Sequence, residues 1–146
     1  MNQIERCKNS FYSYFRNDAQ LFYEVETVLK ELEKRDIIMG TLSDVPYGMD
    51  NKYVLEDIKE IIDNFQYPYT SNDIGYRKPS DKGLKLIASK ADVNITDVLY
   101  IGDEEKDILC AKKAGAVAVL INRSSKEKDY GQDYTISTLN GLMDII

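Results

Sequence analysis

Two carboxylates, one amine and one hydroxyl in this chain have the chemistry and the order of a phosphate-handling site. The segment Gly102-Asp103-Glu104-Glu105-Lys106-Asp107 follows the apolar run Val98-Leu99-Tyr100-Ile101. It precedes a helix-like run over 108–114 that Gly115 closes. Asp103 and Asp107 therefore sit where a buried strand ends and a helix begins, and in open α/β sheets the carboxyl ends of strands are where ligands bind. Ser43 ends an earlier apolar run, 37–42, and Lys78 stands in Gly75-Tyr76-Arg77-Lys78-Pro79. A hydroxyl donor, a fixed cation and a carboxylate pair suit magnesium-assisted phosphate chemistry. Cation and metal would offset anionic charge while the hydroxyl bonds a phosphate oxygen.

Each residue alone has a plainer reading. Asp103 is a good helix N-cap type, and Asp107 a solvated helix acid. Lys78 beside Pro79 can simply begin a helix, and Ser43 can be a turn residue. Asp44 is carried as a substrate-binding candidate, against the competing reading that it caps the turn at Pro46. Glu104 and Glu105 read as solvated acids, and Cys110 as a small core residue. The aromatics Phe11, Tyr12, Tyr14, Phe15, Phe22 and Tyr23 could line a pocket, with core or stem packing the stronger reading. Any left exposed would make an association surface.

The elements that must position these groups follow from periodicity. Residues 4–16 read as an aromatic-rich helix. Val25, Val28, Leu29 and Leu32 recur at helical spacing within 24–35, with Lys34 and Arg35 suited to the last turn. The run 37–42 is a short buried strand, Val45-Pro46-Tyr47-Gly48 a turn, and 52–63 a helix. Residues 67–70 read as a strand leading into a polar loop over 71–77. Pro79 suits the first turn of the next helix, whose apolar face is Leu84, Ile87, Ala88 and Ala91. Then come a strand at 98–101, a helix at 105–114 with Lys112 and Lys113 near its end and Gly115 at C′, and strands at 117–121 and 134–136. A closing helix is expected over 139–146. Strands that are continuously apolar and alternate with helices mean a parallel sheet covered on both faces. Right-handed crossovers then gather Ser43, Lys78 and Asp103 at one sheet edge.

Composition narrows the chemistry. A chain of 146 residues predicts one domain's worth of core, and a formal net charge of −6 argues against nucleic-acid binding. There is no histidine, which excludes a Ser-His-Asp triad and any His-containing zinc site. Cys7 and Cys110 are far apart and fit a reducing compartment. No apolar run is long enough for a membrane span, and no signal-peptide stretch follows Met1, so cytoplasmic residence is the expectation.

Taken in order, these segments resemble the haloacid dehalogenase superfamily of hydrolases and phosphotransferases. Ile37-Ile38-Met39-Gly40-Thr41-Leu42-Ser43 looks like its second motif, Arg77-Lys78-Pro79 its third, and Tyr100-Ile101-Gly102-Asp103 through Asp107 its fourth. The resemblance covers about residues 20–146. It implies a Rossmann-like three-layer α/β/α core over 21–146, with residues 1–20 a remnant of a helical cap. It implies a magnesium-dependent phosphatase acting on a small phosphorylated metabolite. Asp103 would be a magnesium ligand, and Asp107 would bind metal-bound water or hold Lys78. Lys78 would steady the nucleophile and the phosphoryl group, and Ser43 would bond a phosphate oxygen.

One departure is severe. The family begins with a strand carrying Asp-x-Asp-x-Thr, whose first aspartate attacks phosphorus. No such motif occurs in these 146 residues. In the family that strand lies between the two ending at Ser43 and Asp103. Its loss predicts a truncated chain, a sheet with a gap of roughly 10 Å, weak magnesium binding, and little or no activity alone. Closure of the gap, a homo-oligomer, or a complementing chain are the ways to satisfy the exposed backbone. A non-catalytic binding module is the alternative function. A phospho-acceptor signalling domain ranks lower, because there the acids precede the hydroxyl and lysine.

Overall fold

The structure, a computed structural model, describes residues 1–16 and 19–146. The side chain of Phe15, counted among the N-terminal aromatics, lies outside the described residues. Helix α1 (Gln3–Arg16) opens the chain, and α2 (Val25–Lys34) follows with Val25, Val28, Leu29 and Leu32 all on its buried face. Strand β1 (Gly40–Ser43), helix α3 (Asn51–Asp57), strand β2 (Tyr67–Thr70) and the short α4 (Ser71–Ile74) come next. They are succeeded by α5 (Lys82–Lys90), β3 (Leu99–Gly102), α6 (Glu105–Ala114), β4 (Val117–Ile121) and β5 (Tyr134–Ile136).

All strand pairs are parallel. β1 lies on β2 with Gly40 opposite Tyr67 and Ser43 opposite Thr70. β3 lies on β4 with Leu99 opposite Val117, and β4 on β5 with Val119 opposite Tyr134. Successive side chains point to opposite faces of a strand, and the core divides accordingly. Val119 joins α2, Met39, Ile61, Ile136 and Leu142 in one cluster, with Leu99 and Ile101 against it. Ala118 and Leu120 join Leu42, Leu84 and the buried residues of α6 in the other, with Val98 and Tyr100 against it. Helices thus cover both faces, as expected of a three-layer α/β/α core. The strands nevertheless form two sheets, β1-β2 and β3-β4-β5. The strands on either side of the expected gap do not close up.

Several elements differ from expectation. The helix expected over 52–63 ends at Asp57. Ile61 is turned into the α2 cluster, and a 3₁₀ turn, Ile62–Asn64, follows. The loop after β2 contains α4, where Thr70 and Asp73 form a capping box that satisfies first-turn N–H groups. Pro79 lies ahead of α5, which begins only at Lys82. The C-terminal element is a 3₁₀ turn, Leu139–Asp144, not an α-helix. A side chain at Gly141 would come within 2.8 Å of Ile136 Cγ2, so this turn sits directly on β5. Among the N-terminal aromatics, Tyr12 is buried and stacks on Tyr53 of α3 with ring centroids 4.3 Å apart. Phe11, Tyr14, Phe22 and Tyr23 are exposed. Among the described residues no helix is long and apolar enough to cross a membrane.

One long-range tie has no local signal in the sequence. Glu24, only 2% exposed, accepts from Arg123 Nη2 at 2.6 Å and from the Leu139 backbone N–H at 3.3 Å. It joins α2 to the segment after β4 and to the C-terminal turn. Burial pushes its carboxyl up, but the Arg123 and backbone hydrogen bonds outweigh that and hold it below its ordinary value of 4.5. A carboxyl with a depressed folded pKa stabilises the fold above its unfolded value and loses that contribution as pH falls through the folded one. Glu24→Gln is therefore expected to lower stability near neutrality and to flatten its decline below about pH 4.5. Urea titrations across that range would show a parallel acid limb if the tie contributes nothing.

Candidate functional site

A cleft of about 810 Å³ runs between β1 and β3. Its walls are the edges of the two strands, with α2 residues such as Val28 and Leu29 on one side and α5 residues such as Leu84 and Ala88 on the other. At its rim stand Ser43, Lys78, Gly102, Asp103 and Asp107. Four of the five site residues expected from the sequence thus share one cleft. The fifth, Asp44, does not line it.

Lys78 and Asp107 form the centre of the rim. Lys78 Nζ lies 2.7 Å from Asp107 Oδ1, with side chains only 11% and 5% exposed. The contact is an ion pair without the alignment of a good hydrogen bond. The other carboxylate oxygen accepts from the Glu104 N–H at 3.1 Å. Asp107 is thus the N3 residue of a capping box whose N-cap is Glu104, so the plainer reading of Asp103 as the N-cap of α6 is not met. Asp103 is exposed at the end of β3.

Asp44 does not cap the Pro46 turn. Its Oδ1 accepts from the Lys78 backbone N–H at 3.1 Å, so it holds the loop that carries the lysine. Its Oδ2 lies 4.0 Å from Arg77 and 3.7 Å from Lys106. Lys106 also pairs with Glu104 at 2.6 Å, a hydrogen bond that raises its pKa. These two cations were passed over in the sequence, although each adjoins a residue of the expected motifs. Glu104 is likewise a capping and ion-paired side chain, while Glu105 stays exposed in the first turn.

Two neutral groups complete the surroundings. The Tyr100 hydroxyl reaches from β3 to the Leu42 carbonyl of β1 at 3.4 Å. Burial first, then the Asp107 carboxylate, push this phenol far above its usual range. It stays protonated and donates. A lone tyrosine in an aliphatic strand was the available signal for it. Cys110 is fully buried, and burial raises its thiol to about 11. It donates to the Ser80 carbonyl at 3.2 Å and is no nucleophile at neutral pH.

The donor set fits magnesium poorly on its own. Asp103 and Asp107 are two carboxylates, and one oxygen of Asp107 is engaged by Lys78. Among the described residues no group of three or more His, Cys, Asp or Glu stands together to hold a metal ion. Magnesium prefers octahedral oxygen ligation and yields its water reluctantly.

The backbone at Gly102 sets the geometry. A Cβ there would fall 2.1 Å from Asp107 Cβ and 2.4 Å from its Cγ, so only glycine lets the carboxylate close over the end of β3. Gly102→Ala is expected to cost about 1–3 kcal/mol, the usual range for overpacking, and to displace Asp107. Urea denaturation checks it, and an unchanged midpoint would contradict the contact.

Comparison with known proteins bears on this arrangement. The haloacid dehalogenase-like hydrolase family matches residues 1–121. The chain is 28% identical over 120 residues to the phosphoglycolate phosphatase of Photorhabdus laumondii, covering 82% of this chain and 49% of that protein. It is 28% identical over 123 residues to the glyceraldehyde 3-phosphate phosphatase of Methanocaldococcus jannaschii, covering 81% and 53% respectively. The crystal structure of a HAD phosphatase from Thermococcus onnurineus matches with a TM-score of 0.79 at 26% identity, over 86% of this chain and 58% of that one. The chain spans about half the length of the curated relatives it matches.

Proposed function

Since this chain belongs to the haloacid dehalogenase-like hydrolase family, we propose that it contributes the phosphate-anchoring half of a phosphatase site for a small phosphorylated metabolite. The observation that carries the reading is the shared rim: Ser43, Lys78, Asp103 and Asp107 line one cleft. The relatives named above as phosphatases support the substrate class.

In this reading the Ser43 hydroxyl donates to a phosphoryl oxygen. Lys78 places its positive charge where the transferring group gains negative charge, and such preorganised charge is commonly the largest catalytic contribution. Asp107 positions Lys78, Asp44 holds its loop by the backbone bond at 3.1 Å, and Arg77 and Lys106 add positive charge behind it. Asp103 is the exposed acid that would meet a magnesium ion, which would need further oxygen ligands from outside these residues. Residues 1–20 serve as the base of a cap. No Asp-x-Asp-x-Thr segment occurs in the chain, so the attacking carboxylate is not among its residues.

The chain alone is therefore expected to hydrolyse an aryl phosphate at or near the buffer rate with magnesium present. Robust turnover that Asp103→Asn abolishes would overturn this. A magnesium titration followed by calorimetry or amide shifts is expected to give weak binding centred on Asp103, and submicromolar affinity would contradict a half-built site. The second reading, a non-catalytic binding module, is favoured by the same missing nucleophile and the open cleft. It would prevail if a chain extended to include the Asp-x-Asp-x-Thr strand were folded and still inactive.

A further inference from the structure

Tyr47 is 89% exposed, yet the backbone that carries it is fixed. Its turn begins two residues after Ser43, so it leaves directly from the rim. Met49 N–H donates to the Pro46 carbonyl at 3.1 Å, and Gly48 supplies the positive φ, 73°, that such a turn takes at its third position. Val45 N–H donates to Ser71 Oγ at 2.9 Å, and Asn72 Nδ2 to the Met49 carbonyl at 3.0 Å. Arg77 Nη1 donates to the Val45 carbonyl, and Lys8 of α1 to the Gly48 carbonyl. A ring displayed in water contributes nothing to the core. Held this firmly, it offers a large contact area at low cost in conformational entropy.

The surroundings of the ring indicate what it would hold. Arg77 Cζ lies over one face, 4.8 Å from the ring centroid, and the other face is open to water. A guanidinium on one face already draws on the ring's quadrupole. The open face is then a poor seat for a second cation and a good one for a planar ring, packed offset or edge-on. The phosphate anchor is close by. Arg77 adjoins Lys78, and its Nη2 lies 4.0 Å from Asp44 Oδ2, the carboxylate that holds the Lys78 backbone. Tyr47 is four residues past Ser43, a span of at most about 14 Å even for extended chain. Phe22 is the competing ring, exposed and stacked under Arg123 at 3.6 Å. Arg123, however, follows β4, on the far side of β3 from Ser43.

We infer that Tyr47, backed by Arg77, is the specificity-determining platform for the organic part of the phosphate ester, and that this part is a planar ring joined to the phosphoryl group by a short linker. The position of the phosphoryl group rests on the function proposed above, whereas stacking on Tyr47 does not.

The test uses the full chain, which alone is expected to leave phosphate esters intact, so that they serve as ligands. Inorganic phosphate, propyl phosphate, phenylpropyl phosphate and cyclohexylpropyl phosphate are titrated and followed by amide and aromatic-ring NMR. The expected result is that all four shift the Ser43 and Lys78 amides and that only the phenyl ester gives ring-current shifts at Tyr47. The phenyl ester should bind about three- to tenfold tighter than the propyl ester, the gain typical of an aromatic pair. That ratio should fall to about one in Tyr47→Ala and stay at the parent value in Tyr47→Phe. An unchanged ratio in Tyr47→Ala overturns the platform. So do ring-current shifts at Phe22 in place of Tyr47, or a cyclohexyl ester that binds as tightly as the phenyl one. Shifts at Tyr47 with none at Ser43 or Lys78 leave the platform standing and count against the proposed function. Shifts at Ser43 and Lys78 with a parent ratio near one do the reverse.

Discussion

A backbone N–H or C=O removed from water must find a partner, and β1 and β3 meet that demand on one side only. The rest of the molecule is arranged around this condition. Helices α2 and α5 cover the two faces of a sheet that is not continuous between them, and the side chains of both line the opening. The Tyr100 hydroxyl reaching Leu42 at 3.4 Å is a weak substitute for a ladder bond. Edges of this kind are templates for pairing with another chain. Here the two edges face each other across the cleft, with α2 and α5 on either side.

The charged groups at the rim obey a related constraint. Lys78 and Asp107 are both withdrawn from water, and each would be costly there without the other. The chain secures the pair by local means. Glu104 and Asp107 close a capping box at the start of α6, Gly102 leaves room for the carboxylate, and Asp44 holds the backbone of Lys78. A site built this way keeps its cation oriented before any ligand arrives. Asp103, one residue beyond β3, is left exposed and unconstrained by comparison.

Much of this was legible beforehand where a local signal was strong. The stripe Val25, Val28, Leu29 and Leu32 marked α2, Gly115 marked the end of α6, and the apolar runs marked β1, β3 and β4. Less was legible where tertiary contacts decided. The helix expected over 52–63 stops at Asp57, and Ile61 reaches the α2 cluster from the turn that follows. The Glu24–Arg123 bond joins residues 99 apart in sequence, and no spacing rule reaches that far. Asp44 read as a substrate-binding candidate or a cap of its own turn, whereas its backbone partner is 34 residues away.

By itself the sequence determined the strands and most of the helices, that the strands run parallel, and the order of hydroxyl, lysine and carboxylates along the chain. These depend on residue type and short-range spacing, which a linear string contains in full. The tertiary structure alone decided that Lys78 pairs with Asp107, that Asp44 supports the loop and not the turn, and that β1 and β3 stay apart. Those outcomes depend on which groups are left together once water is excluded, and only the folded chain determines that.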